Sequence, residues 1–233
     1  MFLAELLQLK GGRNLVLKRV LPAKQQHFLE LLKEEDIIND YYLAGGTAAA
    51  LYLKHRQSED FDFFTNKQIL SDEILQTLRT LIPFNNIVIS SQSKGSLHIF
   101  ADDLKVSFLH YNYPLIKPLR KFKGIQLASL TDIALMKITA ISGRGSKKDF
   151  IDLYYTCELK GKNLSKLFNL FHKKYKGSGY QTYPIIKSLT YFANAENEPD
   201  PIMLVPYNWD EIKKFFIKES KKLLEHILKN TFN

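Results

Sequence analysis

The chain reads as an α+β protein: a mixed β-sheet with helices on one face, followed by a C-terminal helical bundle. Three observations predict this. β-rich runs cluster between residues 41 and 109. From residue 129 onward apolar side chains recur at helical spacing. Between the two lies a two-proline connector, residues 113–118 (YPLIKP), running into a basic stretch, residues 117–123 (KPLRKFK). A boundary placed there gives an α/β domain over 1–122 and a helical domain over 123–233 that completes the site.

Residues 1–10 and 22–38 have the apolar spacing of amphipathic helices that brace the sheet. Pro22 suits a first helical turn, and Phe28, Leu31, Leu32 and Ile38 form one apolar face. A short strand at 41–44 meets Gly45 and Gly46. Thr47 then caps a helix over 47–53 (TAAALYL). A second strand holds Asp60-Phe61-Asp62-Phe63. A helix over 71–81 ends ahead of Pro83. Strands follow at 86–91, 97–101 and 104–109, with Asp102-Asp103 as the turn between the last two. This makes about five strands, with one more short strand possible at 125–127.

Helices are expected over 131–142 and from 146 or 147 to 159, separated by Gly143-Arg144-Gly145. Further helices span 164–175, 182–193 and 209–229. The first of these ends in a basic cluster of Lys173, Lys174 and Lys176, and residues 196–206 form an acidic, Pro-rich loop.

Composition excludes several classes. With 233 residues, 45% hydrophobic and 24% charged, the chain is an ordinary globular one. No apolar run approaches the roughly 20 residues of a membrane span. No basic segment precedes an apolar core at the start, so no signal peptide is expected and the cytoplasm is the expected compartment. The single Cys157 excludes an internal disulfide, and the six His lack zinc-ligand spacing. The net charge of +9 is concentrated: residues 103–187 hold 16 Lys+Arg against 5 Asp+Glu, a net of +11. Such a surplus suits a polyanion, although lysines on a helix are more often a solvated face.

The stretch YYLAGGTAAALYLKHRQSEDFDFF, residues 41–64, carries the chemistry. Two glycines at a helix start let an anion approach backbone N–H groups. On a strand, Asp60 and Asp62 take one face, roughly 7 Å apart, and Phe61 and Phe63 the other. Paired carboxylates beside a phosphate cradle are what metal-assisted nucleotidyl transfer needs. Alone, Gly-Gly is usually a turn and Asp-x-Asp a solvated face; together at this spacing they are much less expected by chance.

GGT followed by HRQSEDFDFF resembles the nucleotidyltransferase superfamily, and in particular its AbiEii-type branch of abortive-infection, type IV toxin–antitoxin toxins. The resemblance spans roughly residues 38–210. It implies that Gly45, Gly46, Thr47, Arg56, Ser58 and Arg144 hold a nucleoside triphosphate, and that Asp60 and Asp62 bind Mg²⁺ or Mn²⁺. A second block fits the same pattern, with Lys137 on one helix and Lys148-Asp149-Phe150-Ile151-Asp152 on the next. Lys137 and Lys148 would then neutralise phosphate charge, and Asp149 or Asp152 would orient an acceptor hydroxyl. The acceptor implied is RNA, with the tRNA 3′ end foremost, and the implied partner is an antitoxin protein.

Plainer roles remain open for the second block: a capping box from Ser146 to Asp149, and a surface pair between Lys148 and Asp152. In one respect the chain departs from the pattern. A third carboxylate is expected on the strand beside Asp-x-Asp, and LKVSFL places Ser107 there. A third acid from elsewhere, metal binding by two carboxylates plus phosphates, or weakened catalysis would each account for it. A non-catalytic nucleotide- or RNA-binding module, and a small-molecule nucleotidyltransferase, are the alternative functions.

Overall fold

A computed structural model describes residues 18–81 and 86–231. The expected helix over 1–10 and Pro83 lie outside them. Seven strands form one mixed sheet in the order β3-β4-β5-β2-β1-β7-β6. They are β1 (Tyr42–Leu43), β2 (Phe61–Thr65), β3 (Ile87–Ser93), β4 (Ser96–Ala101), β5 (Leu104–His110), β6 (Arg120–Phe122) and β7 (Ile125–Leu127). The sheet is mixed because β2 runs parallel to β5 and β1 parallel to β7, while the other pairs are antiparallel.

Alternation decides which face is core. Phe61, Phe63, Leu97, Ile99, Val106 and Phe108 are fully buried on one face. There Phe61 stacks on Phe28 of α1 (Ala23–Leu32) at 5.4 Å, and Phe63 on Phe108 at 5.4 Å. Helix α3 (Ser71–Leu81) adds Ile74, Leu75 and Leu78. The face bearing Asp62, Lys105 and Ser107 is left to the site. Here α2 (Gly45–Leu53), α4 (Leu130–Gly143) and α5 (Lys147–Lys160) close in, followed by α6 (Leu164–Lys174), α7 (Thr182–Ser188), α8 (Ala193–Glu196) and α9 (Trp209–Thr231). No helix among the described residues is long and apolar enough to cross a membrane.

Several expectations need correction. The sheet has seven strands against about five expected: β7 falls on the short strand read as possible over 125–127, and β6, in the stretch read as a basic connector, is the addition that makes a hairpin of 120–127. Lys123 (φ 48°) and Gly124 (φ 91°) make its two-residue turn. The boundary expected at 122/123 falls inside this hairpin, so the sheet runs on to Leu127 and the helical layer starts at Leu130. The helix expected over 22–38 stops at Leu32, and a separate 3₁₀ turn covers Asp36–Asp40. Three successive acids, Glu34 to Asp36, oppose the negative end of a helix. The expected helix over 182–193 divides after Ser188, where the Ser188 and Thr190 hydroxyls donate to the carbonyls of Ile185 and Lys187. Of the basic cluster at 173–176, Lys174 turns inward: it is buried and donates to Asp132 at 2.9 Å and to the Pro114 carbonyl at 2.8 Å.

Candidate active site

Helix α2 begins at Gly45, so Thr47 sits inside its first turn rather than at its cap. Ala44 takes the cap position and offers no side-chain bond. The Thr47 hydroxyl donates to the Asp60 carbonyl and lies 2.9 Å from Ser58 Oγ. It therefore fastens the helix start to the strand entrance, and the first-turn N–H groups keep no side-chain partner. Gly45 has φ +65°, and a Cβ there would collide with Asp62 Oδ2. A Cβ on Gly46 would lie 2.6 Å from Arg56 Nη2. Close approach requires both glycines, and at Gly45 the left-handed backbone requires one as well.

Asp62 lies on β2, half-buried. Asp60 is exposed and stands one residue ahead of the strand, which begins at Phe61. Both line a cleft of about 470 Å³ with Gly46, Thr47, Arg56, Ser58, Lys137, Arg144, Lys148 and Asp149. Burial pushes the Asp62 carboxyl up; Lys137 draws it back and Asp60 pushes it further up. A carboxylate strained in this way, beside a second one, gains from a divalent cation. Among the described residues no cluster of three or more His, Cys, Asp or Glu forms a metal site. Mg²⁺ or Mn²⁺ would find two carboxylates here, Asp60 and Asp62, and would need further oxygens from substrate or water.

The second block is an ion-pair network. Arg56 grips Asp152 with two bonds, Nε–Oδ1 at 2.7 Å and Nη2–Oδ2 at 2.9 Å. His55 Nε2 is 2.7 Å from Asp152 Oδ1, and Lys137 Nζ is 2.7 Å from its Oδ2. Lys137 also donates to Asp149 at 2.8 Å. Arg144 donates to both Asp149 oxygens at 2.7 and 2.9 Å. Asp149, Asp152 and His55 have no exposed surface. Burial alone would raise Asp152, but Arg56 and Lys137 outweigh it and hold the carboxyl well below the usual range. The same balance lowers Asp149, through Lys137 and Arg144. Burial pushes His55 down, so it stays neutral and donates from Nε2. Three cations face two carboxylates, and the surplus positive charge points toward Asp62.

The plainer roles weighed for this block are not what the structure forms. Ser146 makes no capping box with Asp149. Its hydroxyl donates to Glu198 at 2.7 Å, and the Lys147 N–H is capped by the same carboxylate at 2.9 Å. Asp152 makes no pair with Lys148; it is enclosed and does not line the cleft, whereas Lys148 is exposed at its mouth. Asp152 therefore positions Arg56 and Lys137 from behind the cleft.

Ser107 lies directly across from Asp62 in the parallel β2–β5 register. It is buried, with its Oγ 2.9 Å from His98 Nδ1. Lys105, two residues earlier on the same face, lines the cleft. So does Asp200, which accepts from Lys147 Nζ at 3.0 Å. Sequence reading passed over both. Strand alternation from Ser107 would have located Lys105. Nothing local marks Asp200, which arrives on a strap that bonds back to the α2–β2 loop through Gln57 N to Ile202 O (2.9 Å) and Leu204 N to His55 O (2.8 Å).

The sheet, with its two-carboxylate cleft, has the fold of the nucleotidyltransferases. The nucleotidyltransferase toxin MenT4 of Mycobacterium tuberculosis superposes with a TM-score of 0.56 at 14% identity, over 90% of this chain and 89% of that one. JHP933 of Helicobacter pylori aligns over 94% and 98% of the two chains, with 18% identity and a TM-score of 0.47. No family model matches the sequence. The chain belongs to the same family as the uncharacterized protein aq_aa25 of Aquifex aeolicus, being 39% identical over 210 residues that cover 89% of this chain and all of the relative.

Proposed function

We propose that the protein is a metal-dependent nucleotidyltransferase that moves a nucleoside monophosphate from a triphosphate to an RNA acceptor, with a tRNA 3′ end foremost. We further propose that it acts in the cytoplasm as an AbiEii-type toxin restrained by a partner antitoxin. One observation carries the reading: Asp60 and Asp62 share a cleft with the uncapped start of α2, and Gly45 places that start against Asp62. Gly46 and Thr47 would receive phosphate oxygens through backbone N–H groups. Lys105, Lys148 and Arg144 would balance the departing pyrophosphate. Asp60 and Asp62 would hold Mg²⁺ or Mn²⁺, which supplies charge neutralisation and alignment of the reacting oxygens. Lys137 and Arg56 shape the cleft floor as cations kept charged by Asp149 and Asp152. Ser107 and its partner His98 border Asp62 where another carboxylate was expected, so metal holding falls to the Asp60–Asp62 pair and the substrate's phosphates.

The test is transfer of label from each of the four nucleoside triphosphates, labelled at the α-phosphate, into total bacterial RNA. Asp60→Ala/Asp62→Ala is run alongside. RNA labelling that the double variant abolishes supports the reading and names the nucleotide. Nucleotide binding with no transfer to any acceptor would replace it with a non-catalytic binding module.

A further inference from the structure

At the opposite end of α4 from the cleft lies a second hollow, of about 550 Å³. It is lined by Tyr52, Lys117, Arg120, Thr131, Lys160 and Lys162 among others, and among the described residues no acidic side chain lines it. Two groups stand out in the basic middle of the chain. Lys123, Lys137, Arg144, Lys147 and Lys174 are matched to carboxylates. Lys117, Arg120, Lys160 and Lys162 gather at the hollow and form no ion pair among the described residues; Lys162 reaches Thr131 Oγ1 at 3.0 Å.

Two further features belong to this end of α2. Lys54, in left-handed conformation at the end of α2, is pressed down to about 8, first by burial and then by Lys160. The Tyr52 hydroxyl is shielded from solvent and has no hydrogen-bond partner among the described residues. Like charges assembled around a concavity, with an unused hydroxyl in its wall, are matched by a bound anion.

We infer that this hollow is a phosphate-binding site for the body of the RNA acceptor, distinct from the triphosphate cleft. The inference rests on the RNA-acceptor reading and adds a place for the acceptor to dock. Thr131 lines the hollow and Arg144 the cleft, and at 1.5 Å per residue α4 separates them by roughly 20 Å. Successive phosphates of an RNA duplex advance only a few ångströms along its axis, so the span covers several nucleotide steps. An acceptor whose 3′ end lies at Asp60 and Asp62 would lay a backbone phosphate over Lys117 and Arg120 several nucleotides upstream.

The experiment compares a hairpin RNA carrying a single-stranded 3′ tail with the tail oligonucleotide alone, by fluorescence anisotropy across a salt series. The proteins are wild type, Lys117→Ala/Arg120→Ala and Tyr52→Phe. The double variant is expected to bind the hairpin about tenfold more weakly, with a log–log salt slope shallower by roughly 1.4–1.8 for two lost phosphate contacts. Its affinity for the tail, and its transfer of nucleotide to the tail, stay unchanged. Tyr52→Phe weakens hairpin binding by a smaller factor and keeps the fold intact. Equal affinity and slope for the hairpin in the double variant would overturn the site, as would parallel weakening of hairpin and tail. Saturable binding of inorganic phosphate at the hollow, with hairpin affinity unaltered by either variant, would also overturn the RNA assignment. Should wild type transfer nothing while the double variant still loses hairpin affinity, the docking site stands and the transferase reading falls.

Discussion

Asp62 concentrates the chemistry at the residue scale. Asp62→Asn keeps the shape and removes the charge, so transfer should fall by about 10²-fold or more, the scale of losing one preorganised charge-stabilising group. Thermal melting should barely change, because burial already opposes this charge. A parallel loss of folding cooperativity would reassign Asp62 to structure. Gly45→Ala should damage both: φ +65° is unfavourable for alanine, and the new Cβ meets Asp62.

Asp152 behaves in the opposite way. Its folded pKa is depressed, so its stabilisation is present above the unfolded value near ~3.9 and is lost as pH falls through the folded value. Asp152→Asn leaves Arg56 without its buried counter-charge and Lys137 with Asp149 alone, and should cost about 3–5 kcal/mol at neutral pH. In urea titrations the gap from wild type should hold from pH 7 to 5 and narrow below pH 4. A gap that widened in acid would contradict the assignment.

Among elements, the junction of α5 with the 198–204 strap matters most. Glu198 caps Lys147, Lys147 Nζ returns to the Glu198 carbonyl at 2.7 Å, and Ile202 and Leu204 pair with the α2–β2 loop. This strap brings Asp200 to the cleft and covers the loop holding Arg56. Glu198→Ala removes a helix cap worth about 1 kcal/mol. Amides near 202–204 should then exchange faster, and the Michaelis constant for nucleotide should rise several-fold while Asp60 and Asp62 stay in place. Unchanged exchange at those amides would mean the strap is held by its backbone pairing alone.

For the whole molecule, the charge distribution predicts a salt response. The described ion pairs neutralise part of the basic middle, and the remaining cations lie on the surface and at the second hollow. RNA binding should weaken steeply between ~50 and ~200 mM salt, whereas binding of a nucleoside triphosphate in the mixed-sign cleft should change far less. A flat RNA response would argue for a small-molecule acceptor.

The local chain determined whatever depends on a short reach. Alternation in DFDF assigned Phe61 and Phe63 to the core and aimed Asp62 the other way. Two glycines before a run of helix formers marked the start of α2. The helix read over 71–81 coincides with α3, and the sheet-then-helices order gave the α+β class. Residues far apart in sequence escaped that reading. Lys174 was indistinguishable from Lys173 until the fold set it against Asp132, 42 positions away. Asp149 and Asp152 had the pattern of reactive acids, but Arg56, Lys137 and Arg144 occupy their oxygens. β7 was legible as a possible short strand at 125–127, whereas β6 was hidden in the basic connector and exists because β7, held on the edge of β1, offers it a partner. The physical reason is shared: periodicity and capping are set by neighbours within one turn or one strand, whereas the partner of a buried charge is chosen by which elements the fold packs together.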